Sequence, residues 1–144
     1  MRGYYKRSLV IDDFAHHPKS VEMTIEGIKI KYPNKNIFVV LEPNSATARS
    51  DIFQNEFFLS LKKANKVILA KAQRDTTVKN TKNLDYKRIV DNLCDENIKA
   101  FEASNLNLLR NKLDEWLEEN DLLLILSNGT CLGLWESSFV KDLT

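Results

Sequence analysis

Short apolar runs alternate along this chain with stretches in which apolar residues recur every three or four positions. The runs at residues 9–11, 37–41, 67–70, 98–101 and 122–126 are almost continuously apolar. Such runs are typical of strands that are covered on both faces. Residues 2–6 predict one more strand, at an edge of the sheet.

The stretches between these runs have the spacing of amphipathic helices. Helix starts are indicated by Pro18, by Asp51 and Gln54 (spaced like a capping box), by Asp85 and by Ser104. The spacing over residues 134–143 predicts a last helix. Gly27 falls inside the first helix, where it costs about 1 kcal/mol relative to alanine.

Alternating strands and helices predict a parallel sheet, because crossover connections place the helices on its faces. The fold class is therefore α/β, a Rossmann-like three-layer sandwich with a mostly parallel sheet of about six strands. A length of 144 residues suits one domain, residues 1–144, that buries its own core. The longest polar stretch, residues 71–84, predicts a mobile loop.

Composition narrows the class of partner. A formal net charge of +1 without charged blocks argues against a nucleic-acid binder. The apolar runs are too short to cross a membrane. Cys94 and Cys131 form no C-x-x-C pair, so we expect free thiols in a cytoplasmic protein.

Polar side chains cluster after three of the predicted strands, where ligands bind in parallel sheets. The first segment, DDFAHHP, holds Asp12, Asp13 and both histidines, His16 and His17. The second, EPNSATARS, offers Glu42, Asn44, Ser45, Thr47 and Arg49, and the third, SNGTCLG, offers Ser127, Asn128 and Gly129.

The first segment suits an anionic, hydroxylated ligand. Side chains of neighbouring strand residues diverge, so one of Asp12 and Asp13 can face a ligand while the other braces the loop. A carboxylate can bind vicinal hydroxyls, and the start of the helix at Pro18 attracts anions. Two alternatives stay open: that these side chains only satisfy backbone groups, or that they form the metal site of a hydrolase.

The other two segments also have simpler interpretations. Arg49 could be a solvated surface arginine, and residues 127–129 could form a plain turn. With four glycines in the whole chain, neither a G-x-x-x-x-G-K-[ST] nor a G-x-G-x-x-G motif occurs. If ATP is involved, we therefore expect another domain to hold its triphosphate.

Three segments together resemble the C-terminal domain of the Mur ligases: IDDFAHHP, LEPNSATARSDIFQNEF and LSNGT, in this order. Within that family they are most similar to the murein peptide ligase subgroup, and next to the UDP-N-acetylmuramate–L-alanine ligases. The segment KNLDYKRIVDNL agrees more weakly. The resemblance runs from about residue 2 to the C-terminus.

The resemblance implies an enzyme of three domains, of which this chain is the third. The others, a UDP-substrate domain and a central P-loop ATPase domain, would belong to the same polypeptide. The whole enzyme would use ATP and Mg²⁺ to join an amino acid or murein peptide to UDP-N-acetylmuramate, through an acyl phosphate, in peptidoglycan synthesis or recycling. It would be cytoplasmic and serve cell shape and division, and the isolated domain would be inactive.

The resemblance also assigns roles to residues of this chain. Asp13 matches the acid that reaches the ATP ribose, and His16 and His17 match the part of the loop that faces the reaction centre. The residues that match substrate-binding positions are Asn44, Ser45, Thr47, Arg49, Ser127, Asn128 and Gly129. It assigns no catalytic residue and no metal ligand to this chain.

Two segments depart from the peptide-ligase pattern. Asn44 stands where that subgroup has an arginine, and SNGTCLGLWE differs from its usual last loop. The sequence therefore leaves open a murein peptide ligase, an L-alanine ligase, or a free-standing Rossmann-like binding module without catalysis.

Overall fold

A computed structural model describes residues 2–45, 47–71 and 77–144. One sheet contains the strands β1 (Gly3–Tyr5), β2 (Ser8–Asp13), β3 (Asn36–Glu42), β4 (Lys66–Ala70), β5 (Lys99–Ala103) and β6 (Asp121–Ser127). The strand order is β1-β2-β6-β3-β4-β5. β1 pairs antiparallel with β2 and every other pair is parallel. The predicted edge strand and mostly parallel sheet are confirmed.

The α-helices of the described residues are α1 (Pro18–Lys31), α2 (Gln54–Leu61), α3 (Tyr86–Asp95) and α4 (Leu106–Trp116). Pro18 lies in the first turn of α1, as predicted. Asp85 caps α3, because its Oδ1 accepts a hydrogen bond from the Arg88 amide at 3.1 Å. For α4 the cap is Asn105, one residue after the predicted Ser104, and it accepts from the Leu108 amide at 2.9 Å.

The capping box predicted at Asp51 and Gln54 is wrong. Ser50 precedes a short 3₁₀ helix, Asp51–Phe53, and its hydroxyl accepts from the Ile52 amide at 3.3 Å. The Gln54 amide instead exchanges two hydrogen bonds of 2.8 Å with the backbone of Asp85. The spacing fitted a capping box, but the Gln54 side chain ties α2 to the start of α3.

The last predicted helix is two 3₁₀ helices, Leu134–Glu136 and Ser138–Asp142. Ser137 between them has an extended backbone, with φ −102° and ψ 178°, so an α-helix cannot continue through it. Its hydroxyl accepts from the Phe139 amide at 3.2 Å and starts the second helix. The apolar spacing was detected correctly, since Leu134 and Phe139 are fully buried.

The helices cover both faces of the sheet. Residues of α1, α2 and α3, such as Ile25, Phe57 and Leu93, share one core with alternate strand residues. Leu109 and Leu113 of α4 join Phe139 in a second core on the opposite face. This arrangement confirms the three-layer sandwich.

The sequence predicts a loop at residues 71–84, of which residues 72–76 lie outside the described residues. Its described end is held against the β3–α2 connection. The Leu84 amide donates to the Arg49 carbonyl and the Asp51 amide donates to the Lys82 carbonyl, both at 2.8 Å. Across the described ranges, no helix is long and apolar enough to cross a membrane.

Candidate functional site at the carboxyl edge of the sheet

The three polar segments leave neighbouring strands at one edge of the sheet. β6 lies between β2 and β3, and all three are parallel. Asp13 is in register with Leu126, and Glu42 is in register with Ser127. The chain after β2 and β3 leads to the face of α1 and α2, whereas the chain after β6 leads to the other face. Such a divergence leaves a crevice at the strand ends, where ligands bind in open α/β sheets.

The two aspartates of the first loop have different partners. Asp12 accepts a hydrogen bond of 3.0 Å from Arg2, whose guanidinium also lies 4.7 Å from the ring centre of Trp135. Asp12 therefore braces the loop against β1 and the C-terminal segment. Asp13 is exposed, and its Oδ1 accepts from the Ala15 amide at 2.9 Å. One oxygen of Asp13 thus satisfies a backbone group, and no hydrogen bond to its Oδ2 occurs among the described residues.

Both histidines lie at the start of α1. His17 is the N-cap residue, but its side chain makes no capping hydrogen bond. Its ring lies 4.5 Å from that of His16 and 5.7 Å, edge-on, from that of Phe53. Burial, and secondarily the charge of His16, lower the pKa of His17 below its ordinary value.

The first loop has no arrangement that would bind a metal. Within the described ranges, no three His, Cys, Asp or Glu side chains are grouped as metal ligands. His16 directs its Nδ1 to the Phe14 carbonyl, 2.8 Å away. This geometry argues against the hydrolase interpretation with two histidines and two aspartates.

The second loop is organised around Arg49. Its side chain donates to the carbonyl of Asn44, and its backbone amide donates to the carbonyl of Ser45 at 2.9 Å. Ser45 in turn accepts from the Ala48 amide through its hydroxyl, at 3.0 Å, and Thr47 lies half-buried within the same turn. Arg49 is only 7% exposed, so the interpretation as a solvated arginine is wrong.

Arg49 also has unsatisfied donor capacity. Its Nε is buried and makes no hydrogen bond to any group of the described residues. Burial of a charged group is costly unless the charge is paired.

The third loop is tied to the second by Glu42, which the sequence offers among the polar groups of the second segment without assigning it a role. Its Oε1 accepts from the Ser127 hydroxyl at 2.8 Å and from the Cys131 amide at 3.2 Å. Its Oε2 accepts from the Leu132 amide at 2.9 Å. The sequence indicates only that a carboxylate ends a buried strand. The groups that contact this carboxylate depend on strand register and could not be predicted.

Asn44 and Gly129 meet between the same two loops. A β-carbon added at Gly129 would lie 2.7 Å from the Asn44 amide nitrogen, closer than such atoms normally approach. The Gly129 amide also donates to the Ser127 hydroxyl at 3.0 Å. The structure therefore brings Asn44, Ser127 and Gly129 together, whereas Asn128 is exposed between them.

A three-layer α/β sandwich with polar loops at the carboxyl ends of its central parallel strands defines the class of Rossmann-like domains. The sequence profile of the family described as "Mur ligase, glutamate ligase domain" matches residues 2–129. The chain therefore belongs to the Mur ligase C-terminal domain family.

Known relatives carry this domain within longer chains. A UDP-N-acetylmuramate–L-alanine ligase from Desulfitobacterium hafniense (strain Y51) is 26% identical to this chain over 94% of its length. Another, from Aquifex aeolicus (strain VF5), is 29% identical over 99% of the length of this chain. The chain spans about 30% of the length of these relatives. A crystal structure of a murein peptide ligase from Psychrobacter arcticus 273-4 has the same fold, with a TM-score of 0.73 and 24% identity over 93% of this chain and 27% of that one.

Proposed function

We propose that residues 1–144 form the substrate- and nucleotide-contacting C-terminal domain of an ATP-dependent ligase. This ligase joins an amino acid or a murein peptide to UDP-N-acetylmuramate in peptidoglycan synthesis or recycling, in the cytoplasm. The observation that carries the proposal is the convergence of three polar loops at one sheet edge in a member of the Mur ligase family. The UDP-binding and central ATPase domains would be supplied by the same polypeptide.

The crevice has groups for both ends of a zwitterion or peptide. Arg49, whose buried Nε makes no hydrogen bond to any group of the described residues, suits a carboxylate of the incoming substrate. Asn44, whose carbonyl accepts from Arg49, and the exposed Asn128 offer side-chain amide groups for the rest of that molecule. Ser45 and Thr47 hold the turn that presents Arg49.

This chain offers groups that could bind the ribose of ATP but none that could surround its triphosphate. Asp13 is exposed at the rim and suits hydrogen bonding to the ribose hydroxyls, and His16 and His17 line the same loop. The chain has no glycine-rich loop that could surround a triphosphate. The triphosphate and Mg²⁺ therefore belong to the central domain, so the isolated 144 residues should form no amide.

The substrate is tested best with the complete polypeptide. Phosphate release from ATP would be followed with UDP-N-acetylmuramate and either L-alanine or the tripeptide L-alanyl-γ-D-glutamyl-meso-diaminopimelate. We expect faster turnover with the tripeptide. Faster turnover with L-alanine would overturn the peptide assignment and support the L-alanine ligase instead.

A free-standing binding module is the alternative from a different class. Sequencing of the gene upstream of these residues distinguishes the two. An in-frame segment encoding G-K-[ST] and a UDP-binding domain supports the ligase. A natural start codon at residue 1 and a natural stop codon after residue 144 would support the module.

A further inference from the structure

We propose that Glu42 is a positioning residue that locks the loop after β6 in the shape needed to receive the incoming substrate. This inference rests on the proposed function. Glu42 is 6% exposed, so it has little surface with which to contact a ligand itself. It acts instead through Ser127, Cys131 and Leu132, the three groups that donate to its carboxylate.

The backbone that Glu42 holds is unusual. Cys131, Leu132 and Gly133 have φ values of 55°, 56° and 90°, three consecutive residues in the left-handed region. Residues other than glycine rarely adopt this region, because their β-carbon crowds the following carbonyl oxygen. Such a conformation persists only where surrounding contacts enforce it. Successive amides in a turn form a concave anion site, and the Glu42 carboxylate fills it here.

The geometry requires a carboxylate. All three neighbours of Glu42 are donors, and they approach both of its oxygens: Ser127 and Cys131 approach Oε1, and Leu132 approaches Oε2. A glutamine of the same shape would place an NH₂ group against at least one of these donors. Aspartate would keep both acceptor oxygens but is one methylene shorter.

The hydrogen bonds of Glu42 also connect it, through Ser127, to residues on the ligand side of the crevice. The Ser127 hydroxyl donates to Glu42 and accepts from the Gly129 amide at 3.0 Å. Gly129 in turn lies against the side chain of Asn44. Loss of the Glu42 carboxylate should therefore displace Ser127, Gly129 and Asn44 together, and weaken substrate binding more than it slows the chemical step.

Two readouts test the lock. The first is amide hydrogen exchange of Cys131 and Leu132 in the 144-residue chain, for the wild type, Glu42→Gln, Glu42→Asp and the control Glu56→Gln. Glu56 is exposed on α2, and its carboxylate has no hydrogen bond or ion pair among the described residues. We expect Glu42→Gln to raise the exchange rate of at least one of the two amides about tenfold, because a buried donor loses its acceptor. Glu42→Asp should restore part of the protection, and Glu56→Gln should not change it.

The second readout is the kinetics of the complete ligase with the tripeptide. Glu42→Gln should raise KM for the tripeptide about tenfold and change kcat less than about twofold, with partial rescue by Glu42→Asp. Unchanged exchange and unchanged KM in Glu42→Gln would overturn the proposal. If Glu42→Gln does not fold, Glu42→Asp alone decides it: an unchanged exchange rate and KM would again overturn it.

The two readouts separate this inference from the proposed function. Faster exchange in Glu42→Gln, together with a wild-type polypeptide that forms no amide with any substrate, would support the lock while overturning the ligase. Normal turnover by the wild type and by Glu42→Gln with unchanged KM would overturn the lock and support the ligase.

Discussion

At the scale of single residues, burial sets the chemistry of several side chains near the crevice. His17 packs against His16 and the edge of Phe53 and is partly withdrawn from water. Cys131 is fully buried beside Glu42, whereas Cys94 is exposed on α3. Residues of the same type therefore differ in reactivity according to their position in this fold.

His17 should make the domain less stable in mild acid. Its pKa is lowered in the folded chain, so the unfolded chain binds the proton more readily below the ordinary pKa of 6.5. The free energy of unfolding should thus fall as the pH drops through that value. Urea unfolding between pH 7.5 and 5 measures this, and His17→Gln should remove part of the slope. An NMR titration that places the pKa of His17 above 6.5 would contradict the account.

The two thiols should react at different rates. Burial, and secondarily the charge of Glu42, raise the pKa of the Cys131 thiol, so its thiolate is disfavoured. We expect a thiol reagent to modify Cys94 in the native chain and both cysteines only after unfolding. Mass spectrometry after partial labelling identifies the modified residue. Early modification of Cys131 would show that the loop after β6 opens in the native state.

At the scale of elements, the sequence predicted the strands and the helices α1 to α4 because local patterns define them. Continuous apolar runs indicate buried strands, and Asp85 and Pro18 mark helix starts by their own chemistry. The 3₁₀ helices after β6 could not be distinguished from an α-helix, since both bury residues spaced three to five apart. The role of Gln54 depended on Asp85, which is distant in sequence.

Gly27 offers a test of helix α1. It lies inside the helix on an exposed surface, and a β-carbon there would meet no atom within 4 Å. Gly27→Ala should stabilise the domain by about 1 kcal/mol, because alanine loses less backbone entropy on folding. Gly133→Ala is the matched control: space is also open there, but its φ of 90° makes alanine unfavourable. Chemical denaturation should show opposite signs for the two variants, and equal signs would contradict this explanation.

At the scale of the whole molecule, the residues at the carboxyl ends of the strands differ in character from those at the amino ends. The carboxyl edge collects the polar loops of β2, β3 and β6, while the amino edge holds a buried ion pair between Lys66 of β4 and Asp121 of β6. The common edge of the three loops could be predicted from sequence, because parallel strands end together. The contacts of Glu42 and Arg49 could not, because they depend on strand register and on the path of each loop.

The Lys66–Asp121 pair should be important for stability. Its nitrogen and oxygen lie 2.7 Å apart, and Lys66 also donates to the carbonyl of Trp116 at 2.7 Å. Asp121→Ala would leave the buried Lys66 charge with only the more exposed Glu118 carboxylate, 3.7 Å away, so we expect a loss of about 3 kcal/mol. The exposed pair Lys87–Asp91 is the control, since Asp91→Ala should change stability by less than about 0.5 kcal/mol. Equal losses in urea denaturation would contradict the distinction.

In the proposed site, the loops after three neighbouring strands form one ligand-binding rim. NMR titration of the ¹⁵N-labelled chain with L-alanyl-γ-D-glutamyl-meso-diaminopimelate tests this arrangement most directly. We expect amide shift changes concentrated at residues 12–17, 42–49 and 127–133, with little change near Lys66 and Asp121. Shift changes centred on the amino edge of the sheet, or confined to one of the three loops, would contradict it.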